Sequence, residues 1–264
     1  MTRTIHESPD NSIHVQSDTV VSLQNIGVAF NRQRRLFAKP HLLWVLKDVS
    51  FDLYRGETLG VIGRNAAGKS TLLRLLAGII KQDRGQLING GYSAALLSLQ
   101  AGFVPYLTGR QNAILSGILL GLRRREVEER MPRIIAFSEL GDFFDEPLGT
   151  YSTGMRARLG FSVAFQVDPD LLLIDETLGV GDEAFNRKST RAMHDRIRSD
   201  RTVVLVSHSA GTIRSLCDRA IWIDQGVVRM QGDAREVSDA YHTEVNSNGS
   251  VRAAVRSEEI GIHR

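Results

Sequence analysis

The stretch that decides the fold is Gly63-Arg64-Asn65-Ala66-Ala67-Gly68-Lys69-Ser70-Thr71, which fits the phosphate-binding loop pattern G-x-x-x-x-G-K-[ST]. An apolar run, Thr58 to Ile62, precedes it, and helical spacing of leucines follows it. Glycines let backbone N–H groups point inward at phosphate, so Lys69 can meet the β- and γ-phosphates and Ser70 can ligate Mg²⁺. A plain glycine turn is the alternative, but strand, loop and helix in this order favour a nucleoside triphosphate site.

A second segment offers carboxylates. The apolar run Leu171 to Ile174 is typical of a central strand buried on both faces, and Asp175 and Glu176 follow it. Ligands of open α/β sheets bind at the carboxyl ends of such strands. We therefore expect Asp175 to hold Mg²⁺ through water and Glu176 to orient or deprotonate the attacking water. Two solvated carboxylates at a strand end are the alternative.

A third segment predicts another anion site. Tyr151-Ser152-Thr153-Gly154-Met155 precedes an amphipathic run, Arg156 to Gln166. Ser152 is a favoured N-cap residue, and a helix beginning there would present free N–H groups and the positive end of its dipole. This segment lies far along the chain from Lys69.

These motifs together resemble the ATP-binding subunits of ABC transporters. In that family a Ser-x-Gly signature in one subunit binds the γ-phosphate held by the phosphate loop of the other. The family's remaining elements occur in order: an adenine-stacking aromatic at Phe30, a glutamine loop near Gln100, a subunit-joining loop at Gly181-Asp182, and a switch strand, Val203 to Ser207, ending in the γ-phosphate histidine His208. Phe30 as a core residue at a strand end is equally compatible with the sequence. The resemblance covers about residues 19–245.

The resemblance implies an ATPase with Mg²⁺, made from two copies of the chain that face each other head to tail. Its implied fold class is α/β: a P-loop nucleotide-binding domain with a mixed central sheet, an antiparallel β subdomain and a helical subdomain inserted at about residues 107–167. Strands alternating with helices independently indicate a mainly parallel sheet. We expect residues 1–18 and 246–264 to be flexible, since they are polar and lack periodicity.

The finer resemblance is to the subfamily that exports polysaccharides such as O-antigen, capsule and teichoic acid. It is carried by Tyr-Ser-x-Gly-Met and by three more stretches: Val45–Phe51, Gly102–Arg110 and Gly179–Phe185. This resemblance implies export of a lipid-linked polysaccharide through a separate integral-membrane permease, with two copies of each subunit. The permease would dock near Gln100 and the Gly102–Arg110 stretch. Some such exporters carry a C-terminal glycan-binding domain, for which residues 246–264 are too few.

Two alternatives stay open. The chain could serve another ABC importer or a drug exporter, against which only the subfamily stretches argue. It could also be a soluble ABC ATPase acting on DNA or ribosomes. DNA-repair members need long coiled coils and ribosome-acting members usually carry two ATPase domains, and the sequence shows neither. We therefore expect no nucleic acid partner.

Two positions depart from the family pattern. Ala66 stands where the family usually has Gly, and if this position needs a positive φ, alanine costs about 1 kcal/mol or more. Gln100 is displaced by one residue relative to Pro105, so that Leu99 occupies the usual glutamine position. A role for Gln100 in contacting Mg²⁺ or the γ-phosphate therefore rests on the resemblance alone.

Composition places few further limits. The chain has 264 residues, one cysteine and a net charge of +3, which is weak support for nucleic acid binding. No apolar run approaches the roughly eighteen residues of a spanning helix, and the first residues are polar. We expect a protein at the cytoplasmic face of the membrane, held there by its permease. The basic segment Arg32–Arg35 could face anionic lipid or substrate, or be a plain loop.

The coarse secondary structure follows from periodicity and turn residues. It predicts a strand at Val20–Ile26 with a turn near Phe30, and mostly helix over residues 107–166 with breaks near Gly121, Pro132 and 145–147. Arg123 to Arg125, followed by glutamates, predicts a solvated helix start with internal ion pairs.

Overall fold

The computed structural model describes residues 18–31, 42–97, 102–175 and 182–245. Within them one mixed sheet contains nine strands: β1 Thr19–Asn31, β2 Leu42–Tyr54, β3 Thr58–Ile62, β4 Arg84–Asn89, β5 Ala94–Leu96, β6 Leu171–Ile174, β7 Thr202–Ser207, β8 Arg219–Asp224 and β9 Val227–Asp233. The helices are α1 Lys69–Leu76, α2 Gly109–Leu119, α3 Arg124–Ser138, α4 Thr153–Ala164, α5 Glu183–Ile197 and α6 Ala210–Leu216. Two short 3-10 turns, Gly141–Asp145 and Leu148–Thr150, precede α4, and residues 234–245 are also helical.

The sheet has a parallel half and an antiparallel half. Its strand order is β4-β1-β2-β9-β8-β3-β7-β6-β5, and β8, β3, β7, β6 and β5 run parallel to one another. Every residue of β3, β6 and β7 is buried, as expected for strands covered by helices on both faces. On the other side β1 pairs antiparallel with β2 and β4. The predicted mixed sheet with an antiparallel part is confirmed.

Three apolar clusters hold the elements together. The first lies between the antiparallel strands, α1 and one face of the parallel strands. The second fills the opposite face of the parallel strands, against α4, α5, α6 and residues 234–245. The third joins α2, α3 and α4 into a helical lobe around Ile134, Phe144 and Leu159. Because α4 contributes to both the second and third clusters, it connects the helical lobe to the sheet.

Two local predictions were wrong. The first strand does not turn near Phe30 but continues to Asn31, because Phe30 pairs across the hairpin with Leu43. Pro132 does not break the helical segment and lies inside α3. Proline removes one backbone donor, yet the buried Val127, Met131 and Ile134 on both sides of it pack into one cluster and keep the helix continuous.

Several predictions concern residues outside the described part: segment 1–18 except Asp18, Arg32–Arg35, Gln100, Glu176, Gly181 and the tail 246–264. The ion-paired helix start is confirmed, with Arg124 paired to Glu128 and Arg125 to Glu129. Among the described helices, none combines the length and apolar character that crossing a membrane requires.

Candidate functional site

The loop between β3 and α1 has a backbone that a phosphate-binding loop requires. A Cβ at Gly63 would lie 2.2 Å from the Ile223 carbonyl oxygen, so only glycine fits there. Gly68, the N-cap of α1, has a φ of 109°, and Ala66 has a φ of 62°. Ala66 therefore occupies the left-handed region in which glycine is favoured, and the strain of about 1 kcal/mol expected from the sequence applies.

Lys69, the first residue of α1, closes this loop. Its side chain is buried, and its ammonium group donates to the carbonyl oxygens of Gly63 at 2.6 Å and Arg64 at 3.0 Å. The structure thus holds a positive charge against the inner side of the loop. Arg64, Asn65 and Ala66 form the exposed tip, whereas Ala67 is buried and Thr71 is half-buried.

The Ser70 hydroxyl contacts Asp175, the first carboxylate of the second predicted segment, beside the phosphate-binding loop. Ser70 Oγ lies 3.2 Å from Asp175 Oδ2, within hydrogen-bond distance, although the two residues are 105 positions apart in the chain. One comes from the first turn of α1 and the other follows the last residue of β6. The geometry therefore places a hydroxyl and a carboxylate, both oxygen ligands of the type that Mg²⁺ prefers, beside the loop.

His208 lies at the same edge of the sheet. Strand β7 pairs with β3 on one side and with β6 on the other, and Ile62 faces Ser207 in that register. Gly63, Asp175 and His208 therefore follow the carboxyl ends of three adjacent parallel strands. His208 is exposed, and Ser207 Oγ accepts from the backbone N–H of Ser209, which caps α6.

The helix α4 begins as the sequence predicts. Ser152 is its N-cap, and its Oγ accepts from the backbone N–H of Met155 at 3.2 Å. Ser152 and Thr153 are exposed and Gly154 is half-buried, so the start of the helix is open to solvent. Its packing places this helix start in the helical lobe, whereas α1 packs into the cluster beneath the antiparallel strands.

Tyr151 anchors the start of α4. The ring is buried, and its hydroxyl donates to the Phe143 carbonyl oxygen at 2.5 Å. Burial, together with the nearby carboxylates of Asp145 and Glu146, raises the pKa of the Tyr151 hydroxyl to about 12. The phenol therefore remains a neutral hydrogen-bond donor across the physiological pH range.

The other predicted site residues lie further apart. Phe30 is 43% exposed on β1, beside the hairpin partner Leu43. Asp182 caps α5, since its Oδ1 accepts from the backbone N–H of Phe185, and it also pairs with Arg158 of α4. This hydrogen bond from Phe185 and the charge of Arg158 lower the pKa of the Asp182 carboxyl.

Sequence reasoning missed the charged contacts around Arg158. Arg158 also pairs with Glu139 at 3.5 Å, and Glu139 in turn pairs with Lys188 at 2.6 Å. These residues come from three different helices or their ends, so only the tertiary fold brings them together. An arginine at the third position of the amphipathic run Arg156 to Gln166 gave no signal of its own.

The match to a known family decides the identity. The sequence model of the family described as ABC transporter matches residues 46–179, which contain the loop, the α4 start and the Asp175 segment. The chain belongs to the ABC transporter family. It therefore carries a nucleotide-binding, ATP-hydrolysing domain, and the ATPase predicted from the sequence is confirmed.

Several curated relatives in this family are named as ATP-binding proteins of export systems. An O-antigen export system ATP-binding protein, RfbB, from Klebsiella pneumoniae is 50% identical over 196 residues, covering 74% of this chain and 80% of the relative. An RfbB from Myxococcus xanthus is 48% identical, covering 81% of this chain. The teichoic acids export ATP-binding protein TagH from Listeria innocua is 40% identical over 77% of this chain. The chain spans 49% of the Myxococcus relative and 60% of the Listeria relative.

Solved structures confirm the fold of this ABC domain. An ATP-binding subunit of an ABC transporter superposes with a TM-score of 0.66 at 23% identity, covering 85% of this chain and 94% of that one. A dimeric ATP-binding cassette bound to ADP and phosphate gives a TM-score of 0.65 at 20% identity, covering 81% and 99%. The α/β P-loop fold class is confirmed.

Proposed function

We propose that this ABC domain is the ATP-hydrolysing subunit of a transporter that exports a lipid-linked polysaccharide, of O-antigen, capsule or teichoic acid type, across the cytoplasmic membrane. The names of relatives at 40–50% identity support this substrate class. A long polar chain needs such a machine, because its hydroxyl groups would lose their hydrogen-bond partners in hydrocarbon.

The proposed ATPase mechanism is supported by one observation. Lys69, Ser70 and Asp175 lie together at the carboxyl edge of the parallel sheet. Lys69 would leave the loop carbonyl oxygens and bind the β- and γ-phosphates, while the loop N–H groups hold the phosphate oxygens. His208, following the strand between β3 and β6, would contact the γ-phosphate. Glu176, which follows Asp175 directly in the chain, would orient or deprotonate the attacking water.

The oxygen donors at this junction fit Mg²⁺. Ser70 Oγ and Asp175 Oδ2 supply a hydroxyl and a carboxylate, and the part of the chain that the structure describes holds no cluster of three or more His, Cys, Asp or Glu side chains able to form a metal cage. A Mg²⁺ ion held by one or two protein oxygens and completed by water and phosphate matches such a donor set. When bound, it would neutralise charge on the β- and γ-phosphates.

Two copies of the chain would share each site. Lys69 and Ser152 stand at the starts of α1 and α4, two helix starts that pack into different clusters, and the start of α4 is open to solvent. A head-to-tail pair about a twofold axis would bring Ser152 and Gly154 of one copy to the phosphates held by the other. Asp182, the N-cap of α5, belongs to the Gly181-Asp182 loop that would join the copies.

The membrane partner would be a permease, also in two copies, with this chain peripheral at the cytoplasmic face. Tyr106, within Gly102–Arg110, is 82% exposed, and Leu119 at the end of α2 is 57% exposed. Exposed apolar side chains of this size favour a protein contact over solvent. This surface of the helical lobe is the proposed docking site.

The test is a deletion strain probed for surface glycan and for intracellular lipid-linked polymer. Loss of surface glycan with accumulation of polymer inside the cell is the expected result. A strain complemented with the Lys69→Ala variant should show the same trapped polymer, which ties the defect to ATP rather than to loss of the protein. Unchanged surface glycan with lost uptake of a small solute would instead identify an importer.

A further inference from the structure

A basic pocket lies where α3, α5 and the segments before β6 and β7 meet. It is open to solvent and has a volume of about 460 Å³, which falls within the range of small-molecule sites in proteins, roughly 300 to 1,000 Å³. Four of its lining residues are arginines and two are aspartates, so its formal charge is positive by two. The charged lining residues are Arg130, Arg133, Asp168, Asp195, Arg196 and Arg201.

The basic pocket lies at the edge of the sheet opposite to the phosphate-binding loop. Asp168 precedes β6 and Arg201 precedes β7, so both stand at the amino ends of parallel strands. Asp175 and His208 follow the carboxyl ends of the same two strands. Because β7 has six residues that each rise about 3.3 Å, roughly 20 Å separates the two edges. An anion in the basic pocket is therefore distinct from the phosphates that Lys69 would hold.

Two of the arginines lie close together at the end of α4. Arg130 donates to the Gln166 carbonyl oxygen, and Arg196 donates to the carbonyl oxygens of Phe165, at 2.6 Å, and of Val167. The Arg196 side chain is only 10% exposed. This burial, together with the charge of Arg130, lowers the pKa of the Arg196 guanidinium. The local potential is therefore positive, even though both arginines contact carbonyl oxygens.

Carboxylates neutralise only part of this charge. Asp168 is shared, since it pairs both with Arg196, at 3.4 Å, and with Arg201. Within the described residues, no hydrogen bond or ion pair engages the guanidinium of Arg133, which is exposed. The carbonyl groups at the end of α4 add the equivalent of about half a negative charge. The basic pocket thus has guanidinium charge and N–H donors available for a further anion.

We propose that the basic pocket is a binding site for a phosphate-bearing anion, with Arg133 and Arg201 donating to its oxygens. The planar guanidinium group matches two phosphate oxygens at once, and four such groups suit a diphosphate. Arg130 and Arg196 already donate to α4, so they contribute mainly charge. The phosphate belongs either to a soluble compound or to a lipid headgroup, two sources that share this chemistry.

A purely structural role for the arginines is the competing explanation, since two of them hold the end of α4. It predicts that Arg133 can be replaced without consequence and that loss of the Asp168 carboxylate only weakens the fold. An anion site predicts a different result at Asp168. Asp168→Asn removes a negative charge that competes for Arg196 and Arg201, so anion binding should become tighter.

The experiment titrates pyrophosphate into the full-length chain by calorimetry, in magnesium-free buffer. Every protein carries Lys69→Ala, which removes the cation of the phosphate-binding loop and so limits binding there. Arg133→Gln and Asp168→Asn are each added to that background. Arg187→Gln is the matched control, because it removes an exposed arginine near the other end of α5, where it pairs with Glu183. The melting temperature of each protein is measured with and without pyrophosphate.

Arg133→Gln should weaken pyrophosphate binding about tenfold, because a charged donor is lost, and should leave the melting temperature without ligand unchanged. Arg133→Lys should keep most of the affinity, since it keeps the charge. Asp168→Asn should tighten binding about threefold, and Arg187→Gln should match the background. Absence of pyrophosphate binding in the background, or equal affinity in Arg133→Gln, would overturn the proposal.

Sedimentation with vesicles of phosphatidylglycerol and phosphatidylcholine separates the two sources of phosphate, once Arg133-dependent pyrophosphate binding is seen. Vesicle binding that Arg133→Gln abolishes identifies a lipid headgroup as the ligand. Vesicle binding that is absent, or that Arg133→Gln leaves unchanged, identifies a soluble phosphate compound.

Discussion

The two helix starts that the sequence assigns to anion binding, at α1 and at α4, are built on different plans. At α1 the N-cap is Gly68, no side chain caps the helix, and the buried Lys69 supplies a full positive charge to a strained loop. At α4 the N-cap is Ser152, whose hydroxyl accepts from the backbone, and Ser152 and Thr153 are exposed. One start carries its own cation and the other offers only backbone N–H groups and a hydroxyl.

The difference predicts which of the two helix starts can bind phosphate without a second group. A loop with inward N–H groups and a lysine can neutralise several negative charges, whereas a helix dipole contributes the equivalent of about half a charge. The α4 start is therefore suited to an anion that something else already holds. This asymmetry supports a site in which the α1 of one copy binds the nucleotide and the α4 of another completes it.

Removing the cation from the α1 start should have the largest effect. Lys69→Ala should lower ATP hydrolysis by about 100-fold or more and weaken ATP affinity, because the β- and γ-phosphates lose their charged partner. Lys81→Ala, which removes an exposed lysine shortly after α1, is the control and should change neither quantity. Unchanged ATP affinity of Lys69→Ala by calorimetry would contradict the assignment of this loop.

A mixture of two inactive variants should test whether Lys69 of one copy and Ser152 of the other act at the same ATP site. Neither Lys69→Ala nor Ser152→Arg alone should hydrolyse ATP, but their mixture should recover up to about a quarter of wild-type turnover. Half of the dimers are then mixed, and one of their two sites is intact. As a control, Lys69→Ala mixed with the Lys69→Ala/Ser152→Arg double variant forms no intact site. No recovery in the first mixture would show that the residues act within one copy.

The smallest effect should come from loosening the α4 start. Tyr151→Phe removes the hydroxyl that donates to the Phe143 carbonyl oxygen, so the free energy of unfolding should fall by about 1 to 2 kcal/mol at pH 8. The folded pKa of about 12 lies above the ordinary value near 10, so this stabilisation is complete below pH 10 and declines as pH rises towards 12. Urea denaturation of both proteins at pH 8 and pH 11 should show the difference narrowing; a constant difference would contradict it.

The sequence predicted best where short-range pattern and chemistry coincide. The bounds of β3 and β6 and the N-cap at Ser152 all follow from a few neighbouring residues. The strands β4 and β5 were missed, because one is mostly exposed and the other has three residues, so neither has a clear apolar period.

Tertiary contacts decided the remaining features. Pro132 is tolerated in α3 because both halves of the helix pack on one cluster, and Phe30 stays in β1 because of its partner on β2. The order of the motifs predicts that Ser70 and Asp175 meet, although they are 105 residues apart in the chain. It does not give the distance between their side chains. The ion pairs of Arg158 with Glu139 and Asp182 depend on three helices meeting and had no sequence signal.

The place of β7 between β3 and β6 sets a length scale at the edge of the sheet. Neighbouring strands lie about 4.8 Å apart, so β3 and β6 are separated by roughly 10 Å across the sheet. Ser70 and Asp175 nevertheless lie 3.2 Å apart, because Ser70 stands in the first turn of α1 and not at the end of β3 itself. A substitution that displaced β7 would therefore change the distance between Ser70 and Asp175 without replacing either residue.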